Sequence, residues 1–139
     1  MSGATATYST STLPAGSLGI TAVYSGDAQF ITSTSASLTQ VVNKASTTTT
    51  LGSTPNPSNL NQPVTFTATV VTSTGATATG SVALKEGSTT IATTTLDASG
   101  VATFNISTLS LGKHNLKAAY AGDTSNTNST SNTYTQTVK

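Results

Sequence analysis

The chain repeats itself. TYSTSTLPAGSLGITAVYSGDAQFITSTSASLTQVV, beginning at Thr7, lies without a gap on TFNISTLSLGKHNLKAAYAGDTSNTNSTSNTYTQTV, beginning at Thr103, at an offset of about 96 residues. Leu13 falls on Leu109, Gly16 on Gly112, Ala22 on Ala118, Tyr24 on Tyr120 and Gln40 on Gln136. The pair Gly26-Asp27 falls on Gly122-Asp123. A period of this length means that one supersecondary unit is built twice. It also predicts the division of the chain. Residues 45–139 hold a whole unit, and residues 1–44 hold only the trailing part of one. The junction, Asn43-Lys44-Ala45, is too short for freely jointed neighbours.

Within the whole unit, apolar residues alternate with polar ones. In PVTFTATVV, Val64, Phe66, Ala68 and Val70 point one way, and Thr65, Thr67 and Thr69 point the other. SVALKEG turns Val82 and Leu84 inward, and GVATFNI turns Ala102, Phe104 and Ile106. HNLKAAY does the same with Leu116, Ala118 and Tyr120. TTIATTTLD is a further strand with Ile91 and Leu96, STTTTL opens the unit, and TYTQTVK closes it. The expected core is Val64, Phe66, Ala68, Val70, Val82, Leu84, Phe104, Leu109, Leu116, Ala118 and Tyr120. Pro55, Pro57 and Pro63 with their asparagines break the chain between the first two strands, and Asp97-Ala98-Ser99-Gly100 is a turn. No segment sustains a helical period. The chain reads as all-β, a β-sandwich of about seven strands.

Composition narrows the partners. Only 6% of residues are charged and the net charge is +1, against roughly 25% charged in an ordinary soluble domain. No basic stripe exists to neutralise phosphates, so nucleic acid is not an expected partner. No apolar run approaches the ~20 residues that span a bilayer, and no membrane insertion is expected. MSGATATYST has neither the charged nor the apolar region of a signal peptide. Cysteine is absent, which excludes disulfides and thiolate metal sites. A Thr-rich, low-charge chain of this kind reads as an extracellular or cell-surface β-protein.

The residues TTTTLGSTPNPSNLNQPVTFTATV, GSVALKEG, DASGVATF, STLSLGKHNLKAAYAGD and TYTQTVK resemble bacterial immunoglobulin-like (Ig-like) tandem repeats of large surface and secreted proteins. The resemblance covers residues 45–139, and residues 3–43 as a partial copy. It implies an Ig-like β-sandwich with strands lettered A to G. The first unit then supplies only strands E (about 4–10), F (about 18–25) and G (about 34–43). The resemblance also implies a non-catalytic spacer, stalk or adhesion module, with neighbouring Ig-like repeats as partners. Two other readings remain open: a module that binds carbohydrate or ice through its threonine rows, and an accessory domain of a secreted hydrolase. Tyr8, Leu13, Ile20, Ala22, Tyr24, Leu38 and Val42 of the first unit lack half their packing partners. Residues 1–44 are therefore expected either to pair with another chain by strand addition or to be poorly ordered.

Few side chains could carry chemistry. The acids are Asp27, Glu86, Asp97 and Asp123. They form no D-x-D run, so no metal, no cofactor and no paired-carboxylate chemistry is expected. His114 is the only histidine, and Leu18 takes its place in the first unit, so it reads as a strand-edge residue and not as a catalyst. Thr65-Thr67-Thr69 and Thr93-Thr95 are the hydroxyl rows that could meet a glycan or other surface ligand. Asn105-Ile106-Ser107 and Asn128-Ser129-Thr130 match the N-glycosylation pattern, and Lys85 and Lys117 are candidates for a Lys–Asn isopeptide bond. The phrases AVYSGDAQF and AAYAGDTSN place Gly26-Asp27 and Gly122-Asp123 directly after an alternating strand. Glycine permits the tight backbone and aspartate can accept from amides two residues on, so both pairs read as a structural turn.

Overall fold

The computed structural model describes residues 4–139. The chain divides into two compact units, the first ending at Lys44 and the second running Ala45–Lys139.

The first unit contains strands β1 (Gly16–Ile20), β2 (Val23–Tyr24), β3 (Ser33–Thr34) and β4 (Leu38–Val42). β1 pairs antiparallel with β4, Gly16 opposite Val42 and Ile20 opposite Leu38. β2 pairs with β3, Tyr24 opposite Ser33. Together they form one long hairpin with a break in the middle. There the Ala22 N–H donates to the Ser35 hydroxyl at 2.9 Å, and the Ser35 N–H donates to the Ala22 carbonyl at 2.9 Å. The strand expected over residues 4–10 does not form. Its counterpart in the second unit pairs with a strand for which the first unit has no equivalent, and an extended segment without a ladder partner has little to hold it straight.

The second unit contains β5 (Thr47–Thr54), β6 (Val64–Thr72), β7 (Ser81–Glu86), β8 (Thr89–Thr95), β9 (Val101–Ile106), β10 (Gly112–Tyr120), β11 (Ser129–Thr130) and β12 (Tyr134–Val138). β5–β6–β9 make one sheet, and β8–β7–β10 make the other, with β11 and β12 both on the free side of β10. No helix interrupts them among the described residues, and the unit is an all-β sandwich of two sheets. Alternation builds its core. Val64, Phe66, Ala68 and Val70 from β6 and Ala102 and Phe104 from β9 face Val82 and Leu84 from β7 and Leu116, Ala118 and Tyr120 from β10; all are buried. Burying each large apolar side chain contributes roughly 1.5–3 kcal/mol. Leu109, Ile91 and Leu96 are partly buried and pack against this cluster.

Lettered in order, β8 would be strand D and would join the β5–β6–β9 sheet. It instead pairs with β7, Glu86 opposite Thr89. The connection is Gly87-Ser88, with Gly87 at φ +58°. A two-residue hairpin turn with glycine first forces its two strands to be neighbours, so β8 cannot cross to the other sheet.

Candidate functional site

Asp123 opens the turn that follows β10. Its Oδ1 accepts from the Ser125 N–H at 2.8 Å and the Asn126 N–H at 2.7 Å, which is the Asx-turn geometry. Its Oδ2 reaches further. It accepts from the N–H and the hydroxyl of Thr79, each at 3.0 Å, and lies 3.0 Å from the Tyr120 hydroxyl. Thr79 precedes β7, so the carboxylate ties two loops at one end of the sandwich. Burial alone would raise the Asp123 pKa. The donors from Thr79, Asn126, Ser125 and Tyr120 outweigh it and hold the carboxyl well below the usual carboxylate range. Burial and this carboxylate push the Tyr120 hydroxyl up to about 12. The preceding Gly122 has φ +84°, and a Cβ there would lie 3.0 Å from the Asn126 carbonyl oxygen. Only glycine fits that approach.

Gly26-Asp27 builds the local half of this arrangement again. Asp27 Oδ1 accepts from the Gln29 and Phe30 N–H groups at 2.8 and 2.9 Å, and Oδ2 accepts from the Tyr24 hydroxyl at 2.8 Å. The Gln29 amide, the Tyr24 hydroxyl and the Phe30 amide lower the Asp27 pKa. Among the described residues nothing in the first unit takes the place of Thr79.

A second group of polar residues lies where the ends of the domain meet. The segment from Ala45 through β5 to Ser58 runs parallel to the last segment of the chain, with bridges at Ala45–Asn126 and Ser58–Val138. The Ala45 N–H donates to the Ser125 carbonyl at 2.8 Å, and the Thr127 N–H donates to the Ala45 carbonyl at 2.9 Å. Thr47 and Thr49 hydroxyls each lie 2.7 Å from the Ser129 hydroxyl. At the other end the Ser58 N–H donates to the Thr137 carbonyl and the Lys139 N–H to the Ser58 carbonyl, both at 2.9 Å. Gln136, fully buried, joins the two segments. Its Oε1 accepts from the Ser53 hydroxyl, and its Nε2 donates to the Pro55 carbonyl at 3.0 Å and to Ser58 Oγ at 3.2 Å. Sequence reasoning placed Gln136 only as a repeat marker. Its recurrence at Gln40 was the available signal.

The remaining candidates are dispersed. His114 lies near the start of β10, buried on the inward face of the strand. Its Nδ1 lies 3.0 Å from Glu86 Oε1 and its Nε2 2.9 Å from the Ser110 carbonyl oxygen. Both neighbours are acceptors, so the ring serves as a donor that closes the end of the core. His114→Leu is expected to keep the fold and to lose roughly the 0.5–1.5 kcal/mol of a typical hydrogen bond. Leu18 already occupies the equivalent place, and both Glu86 and Ser110 can reach water. Urea denaturation of the variant checks this; loss of the folded state would contradict it.

Asp97 accepts from the Ser99 and Val101 N–H groups at 2.8 and 3.0 Å and shapes its own turn. Lys85 and Lys117 stand opposite each other across β7 and β10. Among the described residues no three His, Cys, Asp or Glu side chains gather as a metal site. Thr50 stands opposite Thr69, and Thr67 opposite Thr103, on the outer face of the three-stranded sheet. Thr65 there donates to Asn105 Oδ1 at 2.9 Å, and Thr50 leans on the Thr69 carbonyl at 3.5 Å. Thr93 and Thr95 are exposed on β8. Tyr134 is half-buried, and Tyr8 is exposed.

No curated protein and no solved structure matches the chain. A family model does: the bacterial Ig-like domain, group 3, matches residues 49–139. That span covers nearly all of the sandwich, including the Asp123 turn and the Gln136 strand. The chain belongs to the bacterial Ig-like domains of group 3.

Proposed function

We propose that this chain is a load-bearing spacer or stalk segment of a bacterial cell-surface or secreted repeat protein, with neighbouring Ig-like repeats as its partners. The family is one of structural or adhesion-type modules, generally without catalysis and typically found in extracellular or surface proteins. No helix among the described residues is long and apolar enough to cross a membrane.

The observation that carries the reading is the parallel seam between the first and last segments of the domain. Ala45 lies at one end of the seam and Lys139 at the other. Tension between the two ends therefore slides the segments along each other. The backbone bonds at Ala45, Ser58 and Lys139, and the side-chain bonds of Thr47, Ser53 and Gln136, then share the load. Forced unfolding is a rate process set by the barrier, and bonds loaded together raise that barrier.

Single-molecule pulling on the full chain tests this. Residues 45–139 are expected to resist and then open in one step, releasing on the order of 300 Å of chain. Gradual extension of this domain from low force would sink the reading.

A further inference from the structure

The two hairpins of the chain are the same hairpin in different surroundings. Gly112 pairs with Val138 and His114 with Gln136, as Gly16 pairs with Val42 and Leu18 with Gln40. Tyr120 pairs with Ser129, as Tyr24 pairs with Ser33. The break recurs too, with the Ala118 N–H on the Ser131 hydroxyl at 2.9 Å. The faces differ. Leu116 and Tyr120 are 0% and 2% exposed, whereas Ile20 and Tyr24 are 39% and 44% exposed.

We propose that the inward face of the first unit is a docking site for the front half of a repeat of this same type, a segment with the chemistry of residues 45–100. The second unit says what covers this face. There β7 lies on β10, with Val82 opposite Tyr120, Leu84 opposite Ala118 and Glu86 opposite Leu116. Transferred to the first unit, a strand of this pattern sets its valine opposite Tyr24 and its leucine opposite Ala22. Three local features are already shaped for it. Asp27 Oδ2 holds the Tyr24 hydroxyl and has the place for a threonine N–H and hydroxyl that Thr79 fills on Asp123. Gln40, exposed, donates to its neighbour's carbonyl at 3.1 Å, whereas Gln136 reaches Pro55 and Ser58. A groove of about 740 Å³ lies beside Tyr24, Asp27, Phe30, Ile31 and Ser33, lined also by Ala4, Thr5 and Ala6 of the same unit, at the end where Thr79 and Gly80 pack in the second unit.

A second folded copy of this chain does not supply the occupant, because its own Val82 and Leu84 are already fully buried. The occupant is therefore a front half with no back half of its own packed on it. This proposal goes beyond load-bearing and does not depend on it.

The test joins residues 45–100 ahead of Thr5 and leaves the rest of the chain unaltered. Amide hydrogen exchange is compared with that of the original chain. Residues 16–24 are expected to slow by about a hundredfold or more, and residues 5–10 to gain protection as a strand. Leu84→Asp within the added segment is expected to abolish both effects while residues 45–139 of the original part stay protected. As a second measurement, a peptide of residues 78–97 added to the original chain is expected to slow exchange at residues 20–24 only. Unchanged exchange at residues 16–24 in both experiments overturns the proposal. So does a concentration-dependent dimer of the original chain that protects those amides, because a second copy would then be the occupant.

Discussion

Asp123→Ala is expected to destabilise the domain formed by residues 45–139 by about 3 kcal/mol, whereas Asp27→Ala leaves that domain's unfolding unchanged. The carboxylate of Asp123 accepts from the backbone of Ser125, Asn126 and Thr79 and from the Thr79 hydroxyl. Hydrogen bonds to a charged group contribute roughly 1.5–3 kcal/mol each when lost with a buried partner left behind. This turn is only half-buried, so water recovers part of the loss and the sum stays near the value of one or two such bonds. For a domain of this size, about 3 kcal/mol lowers Tm by roughly 12–24 °C. The acid dependence has a definite sign. The folded carboxyl sits well below its ordinary range, so the unfolded chain takes up its proton first as pH falls. The stabilisation is in place above the unfolded value of about 3.9 and is lost as pH falls toward the folded value. The gap in stability between the original chain and Asp123→Ala should therefore narrow on going from pH 7 to pH 3. A gap that stays constant would show that the charge of Asp123 contributes nothing.

Phe66→Ala is expected to cost about 3–5 kcal/mol. Phe66 is fully buried in β6, the central strand of its sheet, with Ser53 on one side and Phe104 on the other. Truncation loses the transfer free energy of the ring and leaves a cavity walled by two sheets that cannot close on it. Total stabilities of single domains are only about 5–15 kcal/mol, so this one change brings the fold near its limit. Urea unfolding followed by circular dichroism measures the effect. A loss below about 1 kcal/mol would mean that the two sheets are not held by this layer.

Alternation made the sandwich legible. Val64 to Val70, Val82 with Leu84, and Leu116 to Tyr120 each state their inward face within one short segment, and a strand's period of two needs nothing else to be read. The Gly-Asp turns were half legible. The Asx bonds to residues two and three positions on are local, whereas the link from Asp123 to Thr79 spans two loops and leaves no trace in either one. Gln136 and Ser53 meet across most of the domain for the same reason. The burial of His114 was not legible, because its neighbours Lys113 and Asn115 are polar and the acceptors that let a ring be buried there, Glu86 and the Ser110 carbonyl, come from elsewhere in the chain. Residues 4–10 carry the pattern of a strand but no strand, since a pattern does not supply the partner whose ladder completes it.

The direction in which the domain resists force tests the account most directly. The chain has no cysteine, so introduced ones give unique handles. Asn43→Cys with Lys139→Cys loads the parallel seam along its length. Asn43→Cys with Thr74→Cys loads the antiparallel β5–β6 pair from its open end, where Thr47 faces Thr72, and breaks its bonds one after another. The same domain is expected to open at a markedly higher force in the first geometry than in the second. Equal forces, or a lower force along the seam, would contradict the claim that this fold is built to carry load between its ends.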